Sequence, residues 1–298
     1  MSLSAWLRVI RIKFLLSSVI AVSIGLAMSY WREGGIDAAN AAMTLGGVIA
    51  LHASVDLLND FWDYKRGIDS ITKRTKFSGG TGVLPEGLLK PSNVYRAGMM
   101  FLVLGSLAGA YFVIQYGWII AAILGFAIIS IYFYSTKIVD SGLGEIFVAI
   151  KGAMIVLGTS YIQTQAVDPA FAMAGIVSGT LSAFVLFITS FPDHDADKEK
   201  GRRTLVIVLG KKSASKVYWA FPAVAYSVLV FGVSYGFFPI PCLLSFLAAP
   251  LVINGRKTAS SLDDPARFVS VMKSTLLFSR IAGALFAVGF AVAIFASN

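Results

Sequence analysis

The chain has 298 residues, of which 57% are hydrophobic and only 14% are charged. An average soluble domain has about 25% charged residues, so this composition excludes an ordinary soluble globular protein. The formal net charge of +9 is high enough for nucleic-acid binding, but the placement of the basic residues argues against that class. The single Cys242 and the two histidines exclude a disulfide and a metal site built from thiolates or clustered imidazoles.

Long apolar stretches follow one another along the chain and predict an all-α, polytopic membrane protein. We expect one integral-membrane domain over residues 1–298, with acid-bearing loops near 59–92 and 192–214. The eighth apolar stretch is short for a helix that crosses about 30 Å of hydrocarbon. The nine predicted spans lie near residues 12–31, 39–58, 94–115, 118–136, 143–166, 170–191, 215–235, 238–254 and 274–296.

The basic residues are distributed very unevenly between the two sides that nine spans define. The side that holds the N-terminus carries 22 of the 25 Lys and Arg residues. The opposite side carries only Arg32, and Lys151 and Arg280 lie deep within spans, whereas Lys13, Arg96 and Lys216 at span ends are counted with the side that they adjoin. Because cytoplasmic loops are enriched in Lys and Arg, the basic side is predicted to be cytoplasmic in a multi-pass protein of the cell membrane. The net charge then reflects topology and contact with anionic membrane lipids, and no nucleic-acid partner is expected.

The first acid-rich stretch continues the second predicted span. His52, Asp56, Asn59, Asp60 and Asp63 are spaced by three or four residues, so they share one stripe of a helix. Ionisable groups at membrane depth are costly and normally face a cavity or the interior of a bundle. Like charges at this spacing also repel unless a cation neutralises them. For His52 a hydrogen-bonded structural role is favoured over catalysis.

The second acid-rich stretch lies at the cytoplasmic end of the sixth span, where Asp193 and Asp197 repeat the pattern. Carboxylate and amide oxygens suit a hard cation, and Mg²⁺ usually adds substrate phosphate and water to one or two protein carboxylates. Two facing clusters would suit about two or three Mg²⁺ ions bridged by a diphosphate. Ordinary solvated loop charges would account for one such cluster, but they account less well for two clusters on the same side of the membrane. The basic residues that would neutralise the remaining charge are Lys65, Arg66, Lys73, Arg74, Arg202 and Arg203.

These motifs resemble those of the UbiA superfamily of intramembrane prenyltransferases. The resemblance rests on Asn59-Asp60-x-x-Asp63 followed by Lys-Arg-Gly-Ile-Asp69, and on Asp193-x-x-x-Asp197 followed by Gly-Arg-Arg-Thr-Leu. Residues 78–84, Ser-Gly-Gly-Thr-Gly-Val-Leu, and residues 142–147, Gly-Leu-Gly-Glu-Ile-Phe, are similar to the MenA branch, as are Gly158-Thr-Ser-Tyr161 and Gln163. The ubiquinone-type pattern has a third Asp where this chain has Gly67. Here the third acid is Asp69, as in naphthoate-type members.

The resemblance implies nine helices around a central cavity that is capped by the acid-bearing loops and opens laterally to lipid. It also implies Mg²⁺-dependent transfer of a polyprenyl group from an allylic prenyl diphosphate to a lipophilic aromatic acceptor, 1,4-dihydroxy-2-naphthoate, in menaquinone biosynthesis. Asp60, Asp63, Asp193 and Asp197 are the expected catalytic residues. The expected metal ligands are these four with Asn59 and Asp69, and the expected diphosphate-binding residues are Arg11, Lys65, Arg66, Lys137, Arg202 and Arg203.

Two other functions remain open on the sequence alone. A geranylgeranylglyceryl phosphate acceptor, used for ether lipids, would need a second basic subsite, for which the chain has enough cations. A cation-coupled transporter is disfavoured because its acids usually lie near the bilayer midplane in broken helices. Arg11 and Lys137 are each open to a second interpretation, because basic residues at the ends of spans also anchor a helix at the membrane surface.

Overall fold

A computed structural model describes residues 2–72, 74–258, 262 and 264–297. Every regular element in this part of the chain is helical, which confirms the all-α prediction. A π-type turn (Tyr134–Ile138) and a 3₁₀ turn (Val139–Ser141) continue α5, and 3₁₀ segments (Ile240–Ala248 and Ile253–Lys257) flank α11. The helices are α1 (Leu3–Val9), α2 (Ile12–Glu33), α3 (Ala38–Lys65), α4 (Pro91–Tyr116), α5 (Trp118–Phe133), α6 (Gly144–Thr164), α7 (Pro169–Glu199), α8 (Leu205–Leu209), α9 (Lys211–Val217), α10 (Ala220–Ser234), α11 (Ala249–Val252) and α12 (Pro265–Ser297).

Within the described residues, eight helices are long and apolar enough to cross a membrane, when α5 is taken with its continuation to Ser141 and α9 is joined to α10 as Lys211–Ser234. Each of them overlaps most of one predicted span, and this confirms a multi-pass membrane protein. Three are clearly longer than the hydropathy alone predicted, and one of these is α12, which begins at Pro265. α3 continues to Lys65 and α7 continues to Glu199, so both acid-rich stretches lie on helix ends and not on loops. The predicted neutralising residue Lys73 lies outside the described residues.

The predicted eighth span is the exception. Residues Ile240–Val252 form a shorter apolar helical segment, and most of it is 3₁₀ helix. Pro250 separates this 3₁₀ helix from α11, since it supplies no N–H to the Phe246 carbonyl, whereas Pro241 stands in the first turn, where proline is tolerated. The prediction of nine long spans therefore exceeds the observed number by one, and this segment stands where the ninth would be.

The chain divides into two compact units, and one of them comprises residues 1–16, 46–147 and 189–214. Its core joins α1 to α3 and to the loop before α4, through Ala5, Val9, Leu57, Val83 and Leu84. α3 and α4 approach closely because glycine stands at their contacts. A Cβ on Gly98 would lie 2.9 Å from the side chain of Leu58, and one on Gly105 would lie 2.6 Å from that of Leu51. Both acid-rich stretches belong to this unit.

The other unit comprises residues 17–45, 148–188 and 215–298. Small residues bring α6 and α7 into backbone contact, because a Cβ on Gly152 would lie 2.7 Å from the Cα of Gly179. The 3₁₀ segment packs on α12, where the Ser245 hydroxyl donates to the Ala282 carbonyl over 2.9 Å. Buried aromatic side chains fill the remaining space, and Phe184 stacks on Phe221 with 5.1 Å between ring centroids.

Candidate active site

The two acid-rich helices end in the same way. After α3, the Gly67 N–H donates to the Tyr64 carbonyl and the Ile68 N–H donates to the Asp63 carbonyl over 2.9 Å. Gly67 has a φ of +72°, a left-handed conformation that glycine adopts without steric cost. This pair of hydrogen bonds is a Schellman cap. Glycine is favoured at position 67, and the third acid follows two residues later at Asp69.

α7 repeats this cap. The Gly201 N–H donates to the Lys198 carbonyl over 3.2 Å, and the Arg202 N–H donates to the Asp197 carbonyl over 2.9 Å. Gly201 has a φ of +81°. Asp63 and Asp197 therefore occupy equivalent positions, each the third residue from the end of its helix. The sequence signature of both ends is an Asp followed four residues later by a Gly.

Arg202 joins the two helix ends. Its guanidinium donates to a carboxylate oxygen of Asp63 and, over 3.2 Å, to Oδ1 of Asp197. The three side chains are almost completely buried. Burial opposes the charge of Arg202, but the two carboxylates outweigh it and raise the pKa of Arg202 above its ordinary value. Asn59 completes the cluster by donating to Oδ2 of Asp63 over 2.6 Å.

Asp60 faces a glycine-rich loop formed by residues 78–82. The backbone N–H of Thr81 donates to its Oδ1 over 3.1 Å, and the Thr81 hydroxyl donates to its Oδ2 over 2.8 Å. Arg11 lies 3.6 Å from the same carboxylate. Arg11 stands between α1 and α2 with a φ of +51°, and this turn in the backbone directs its side chain toward Asp60.

Asp69 and Asp193 lie against the same loop. A Cβ on Gly80 would overlap the Asp69 carboxylate, and the Gly79 N–H donates to Oδ2 of Asp193 over 3.2 Å. Burial, helped by the charges of Asp63 and Asp60, raises the pKa of Asp69 to about 8.

The donor set is suited to a hard cation. All the candidate ligands offer oxygen, and Oδ2 of Asp69 and Oδ1 of Asp193 are buried without a hydrogen-bond donor among the described residues. A buried carboxylate oxygen in that position is costly unless a cation compensates it. The residues therefore fit Mg²⁺ chemically. In the described part of the chain, no three acidic, His or Cys side chains alone enclose an ion site, and the Arg202 guanidinium lies between Asp63 and Asp197.

The structure places the six predicted diphosphate-binding residues in different surroundings. Arg11 and Arg202 contact the acidic cluster directly. Lys65 lies over the ring of Trp62 at 5.0 Å. The side chains of Lys137 and Arg203 are exposed.

Arg66 makes three structural contacts. It donates to the Ser135 carbonyl, to Oδ1 of Asp140 and to the Lys200 carbonyl, each over 2.9 Å. Its side chain is therefore already engaged within the fold, in contrast to a group that faces only substrate.

Several contacts at the site were not expected from the sequence. Thr81 was not singled out, although its place two residues after Gly79 in a glycine-rich loop is a signal for anion or carboxylate binding by backbone N–H groups. Glu86 accepts from Arg8 over 2.8 Å and from Arg74 over 2.5 Å, and these hydrogen bonds lower the pKa of Glu86. The buried Glu145 accepts from the Leu205 N–H over 3.2 Å. No local pattern predicts these last pairings, since each joins distant segments.

Comparison with known proteins gives one family and relatives whose names agree with it. A family model described as the UbiA prenyltransferase family matches residues 18–278. The 1,4-dihydroxy-2-naphthoate octaprenyltransferase of Escherichia coli (strain K12) is 27% identical over 298 residues, covering 96% of this chain and 94% of that protein.

Solved structures share the fold. The apo structure of a UbiA homolog from Aeropyrum pernix K1 matches with a TM-score of 0.70 at 15% identity, over 94% of this chain and 98% of that chain. A UbiA homolog from Archaeoglobus fulgidus bound to DMAPP and Mg²⁺ matches with a TM-score of 0.58 at 14% identity, over 95% of this chain and 99% of that chain. At these identities the likeness concerns the fold alone.

Proposed function

We propose that this chain, which belongs to the UbiA prenyltransferase family, transfers a polyprenyl group from an allylic diphosphate to 1,4-dihydroxy-2-naphthoate with the help of Mg²⁺. That it is a prenyltransferase with an aromatic acceptor follows from the family and from its curated relatives. The naphthoate acceptor, its place in menaquinone biosynthesis, the metal and the residue roles are the proposal.

The pairing of the two helix ends through Arg202 is the observation that carries the donor half of the proposal. Asp63 and Asp197 come from helices far apart in sequence and share one guanidinium. Buried carboxylates gathered at a cationic side chain are suited to binding a metal diphosphate. Two unrelated solvated loop charges would give no reason for such burial.

The acceptor half of the proposal rests on likeness to relatives and on the third acid. The Escherichia coli relative and one from Bacillus subtilis (strain 168), 26% identical over 287 residues, are both named 1,4-dihydroxy-2-naphthoate octaprenyltransferase. The third acid of this chain is Asp69, two residues after Gly67, which is the arrangement of the naphthoate-type motif described above.

The reaction is a substitution at C1 of the prenyl chain. The C1–O bond breaks, and its electron pair leaves with the pyrophosphate. The ring carbon that carries the carboxylate then bonds to C1, and the carboxylate leaves that carbon as carbon dioxide and returns its bonding electron pair to the ring. Bound Mg²⁺, held by Asn59, Asp60, Asp63, Asp69, Asp193 and Asp197, would supply charge stabilisation to the leaving pyrophosphate.

The chain's own residues have three tasks in this reaction. Arg11 and Arg202 place positive charge beside the acidic cluster and would attract the diphosphate oxygens. Thr81 fixes the Asp60 carboxylate in one orientation through two hydrogen bonds. The apolar helices exclude water, whose attack on the developing allylic cation would waste the donor.

A reconstituted assay tests this function. The purified chain in lipid vesicles is supplied with Mg²⁺, labelled geranylgeranyl diphosphate and either 1,4-dihydroxy-2-naphthoate or geranylgeranylglyceryl phosphate. We expect a labelled, decarboxylated naphthoate product that is lost when EDTA removes the metal and restored when Mg²⁺ is added back.

Two results would contradict the proposal in different ways. Product with the glycerol phosphate acceptor and none with the naphthoate would replace the acceptor but retain the donor chemistry. Full activity in excess EDTA would remove the metal from the proposal. Circular dichroism checks each preparation, because an intact protein retains its helical content under every assay condition and a defective one does not.

A further inference from the structure

The C-terminal caps of α3 and α7 are joined by a single side chain. Arg66 is the residue that follows the last helical residue of α3, and Lys200 is its counterpart after α7. Nη2 of Arg66 donates to the Lys200 carbonyl over 2.9 Å. Carbonyls at a helix C-terminus lack partners within the helix, and a cation there is favoured by the helix dipole. The contact therefore gives a carbonyl at the α7 terminus a hydrogen-bond donor and places a positive charge at the negative end of the helix dipole.

A third segment holds Arg66 in place. Nη1 of Arg66 donates to the Ser135 carbonyl and to Oδ1 of Asp140, each over 2.9 Å. Both acceptors lie in residues 134–145, which we call the bracket. The bracket begins as a π-type turn, an irregularity that is frequent at functional sites.

The bracket also holds the residues that flank Arg202. The Arg203 N–H donates to the Val139 carbonyl over 3.2 Å, and the Leu205 N–H donates to the Glu145 carboxylate over 3.2 Å. Together with the Lys200 carbonyl, three points between residues 200 and 205 are fixed from outside the segment. Arg202 lies between these points, and its guanidinium reaches Asp63 and Asp197.

We propose that Arg66, with Asp140 and Glu145, is a positioning residue that sets the two acid-rich helix ends against each other. It acts by coupling one helix cap to the other, so that Asp63, Asp197 and Arg202 meet at one place. This differs from the diphosphate-binding role that the sequence predicts for Arg66. The inference rests on the proposed function only for its activity readout.

Asp140 distinguishes the two roles. If Arg66 binds the diphosphate directly, then Asp140 competes for its guanidinium, and Asp140→Asn leaves the KM for the donor unchanged or lowers it. If Arg66 positions the caps, Asp140→Asn weakens the bracket and lowers kcat. We expect Arg66→Ala and Asp140→Asn each to lower kcat about ten- to hundredfold, as small displacements of reacting groups do. The double variant should lose little more than Arg66→Ala, because both changes break one network.

The second readout is hydrogen exchange of the full-length protein in detergent, without donor or metal. Arg66→Ala should speed exchange of the amides in residues 201–205, and Arg66→Lys should restore part of the protection. Exchange in α4 serves as the internal reference. Arg96→Ala, which removes an exposed arginine from α4, is the matched control and should leave exchange at 201–205 and kcat unchanged.

Unchanged exchange at residues 201–205 in Arg66→Ala would overturn the positioning role. A raised donor KM with unchanged kcat in that variant, together with an unaffected Asp140→Asn, would also overturn it and assign Arg66 to the diphosphate. An inactive wild-type chain in every acceptor arm would count against the proposed function only. The exchange measurement would still decide the role of Arg66.

Discussion

Individual carboxylates at the site differ in burial, and this difference separates the proposed metal ligands from solvated acids. Asp63 and Asp197 are almost fully buried, whereas the side chain of Asp195 is 79% exposed. Asp195 pairs with His194 and Lys211 at the surface. An acid in the same motif that faces solvent therefore provides a matched control for the buried pair.

Asp63→Ala and Asp197→Ala should each lower prenyl transfer at least 100-fold, on the order expected when a charge-stabilising group is removed. Each variant also leaves Arg202 with one carboxylate partner in place of two. Steady-state product formation with saturating Mg²⁺ measures the effect. Asp195→Ala should retain activity within about twofold, as surface substitutions commonly do. Equal losses in Asp195→Ala and Asp63→Ala would contradict the assignment.

Asp69 should make the stability of the metal-free protein depend on pH. Its pKa of about 8, against an ordinary 3.8, means that the folded state holds this proton more tightly than the unfolded state. The free energy of unfolding should therefore fall as pH rises from about 4 to about 8, by at most about 1.4 kcal/mol per pH unit. Asp69→Asn removes this contribution and should flatten the curve.

Thermal unfolding in EDTA from pH 5 to pH 9 measures this effect. The Tm of the wild-type protein should fall relative to the Tm of Asp69→Asn as pH rises through this window. With Mg²⁺ present the sign should reverse for wild type, because metal binding requires the ionised carboxylate and strengthens as that proton leaves. Parallel curves for the two proteins in EDTA would show that Asp69 does not titrate in this range.

At the scale of elements, the two helix caps determine where the acids point. Both rely on a glycine with positive φ, Gly67 and Gly201. An L-residue in that conformation costs about 1–2 kcal/mol, and asparagine tolerates it better than alanine. The caps also fix the carbonyls of Asp63 and Asp197.

Gly201→Ala should lower the melting temperature and raise the Mg²⁺ concentration needed for half-maximal activity, since strain at the cap displaces Arg202. No atom lies within 4 Å of a Cβ at this position, so the effect comes from the backbone and not from a clash. Gly201→Asn should be milder. Gly125→Ala in α5, where a Cβ also meets nothing, is the control and should be neutral or stabilising. Matching behaviour of Gly201→Ala and Gly125→Ala would contradict this account of the cap.

The sequence predicts the helices well and the contacts between them poorly. Hydropathy located all eight long helices, and the three-to-four spacing placed His52 to Asp63 on one helical stripe. The Asp-x-x-x-Gly signature was present in both motifs, but its meaning as a cap appears only with the positive φ of the glycines. Pairings such as Arg66 with Lys200 join residues more than 130 positions apart, and no local period encodes them.

For the whole molecule, the side of the membrane on which α12 begins depends on whether the segment Ile240–Val252 crosses the membrane. It is too short to cross as an α-helix, but a 3₁₀ helix rises about 2 Å per residue against about 1.5 Å. Extended through Lys257, the segment therefore reaches roughly 30 Å, about the thickness of the hydrocarbon.

Its contacts support a crossing. Ser245 meets Ala282, whereas Cys242, three residues earlier, lies 3.8 Å from the carbonyl of Phe286. The segment thus runs antiparallel to α12. A segment that passes alongside a membrane-spanning helix in the opposite direction carries the chain back toward the other face of the membrane.

We therefore expect residues 70–90 and the start of α12 to face the cytoplasm, and the α2–α3 connection to face the other side. Single cysteines at Lys76, Arg267 and Gly35, all exposed, can be introduced into a Cys242→Ala background. A membrane-impermeant maleimide should label positions 76 and 267 only in inside-out vesicles, and position 35 only in right-side-out ones. Labelling of positions 35 and 267 from the same side would mean that the 3₁₀ segment does not cross. Four basic residues would then lie on the side opposite to the other basic loops, against the charge asymmetry from which the orientation was predicted.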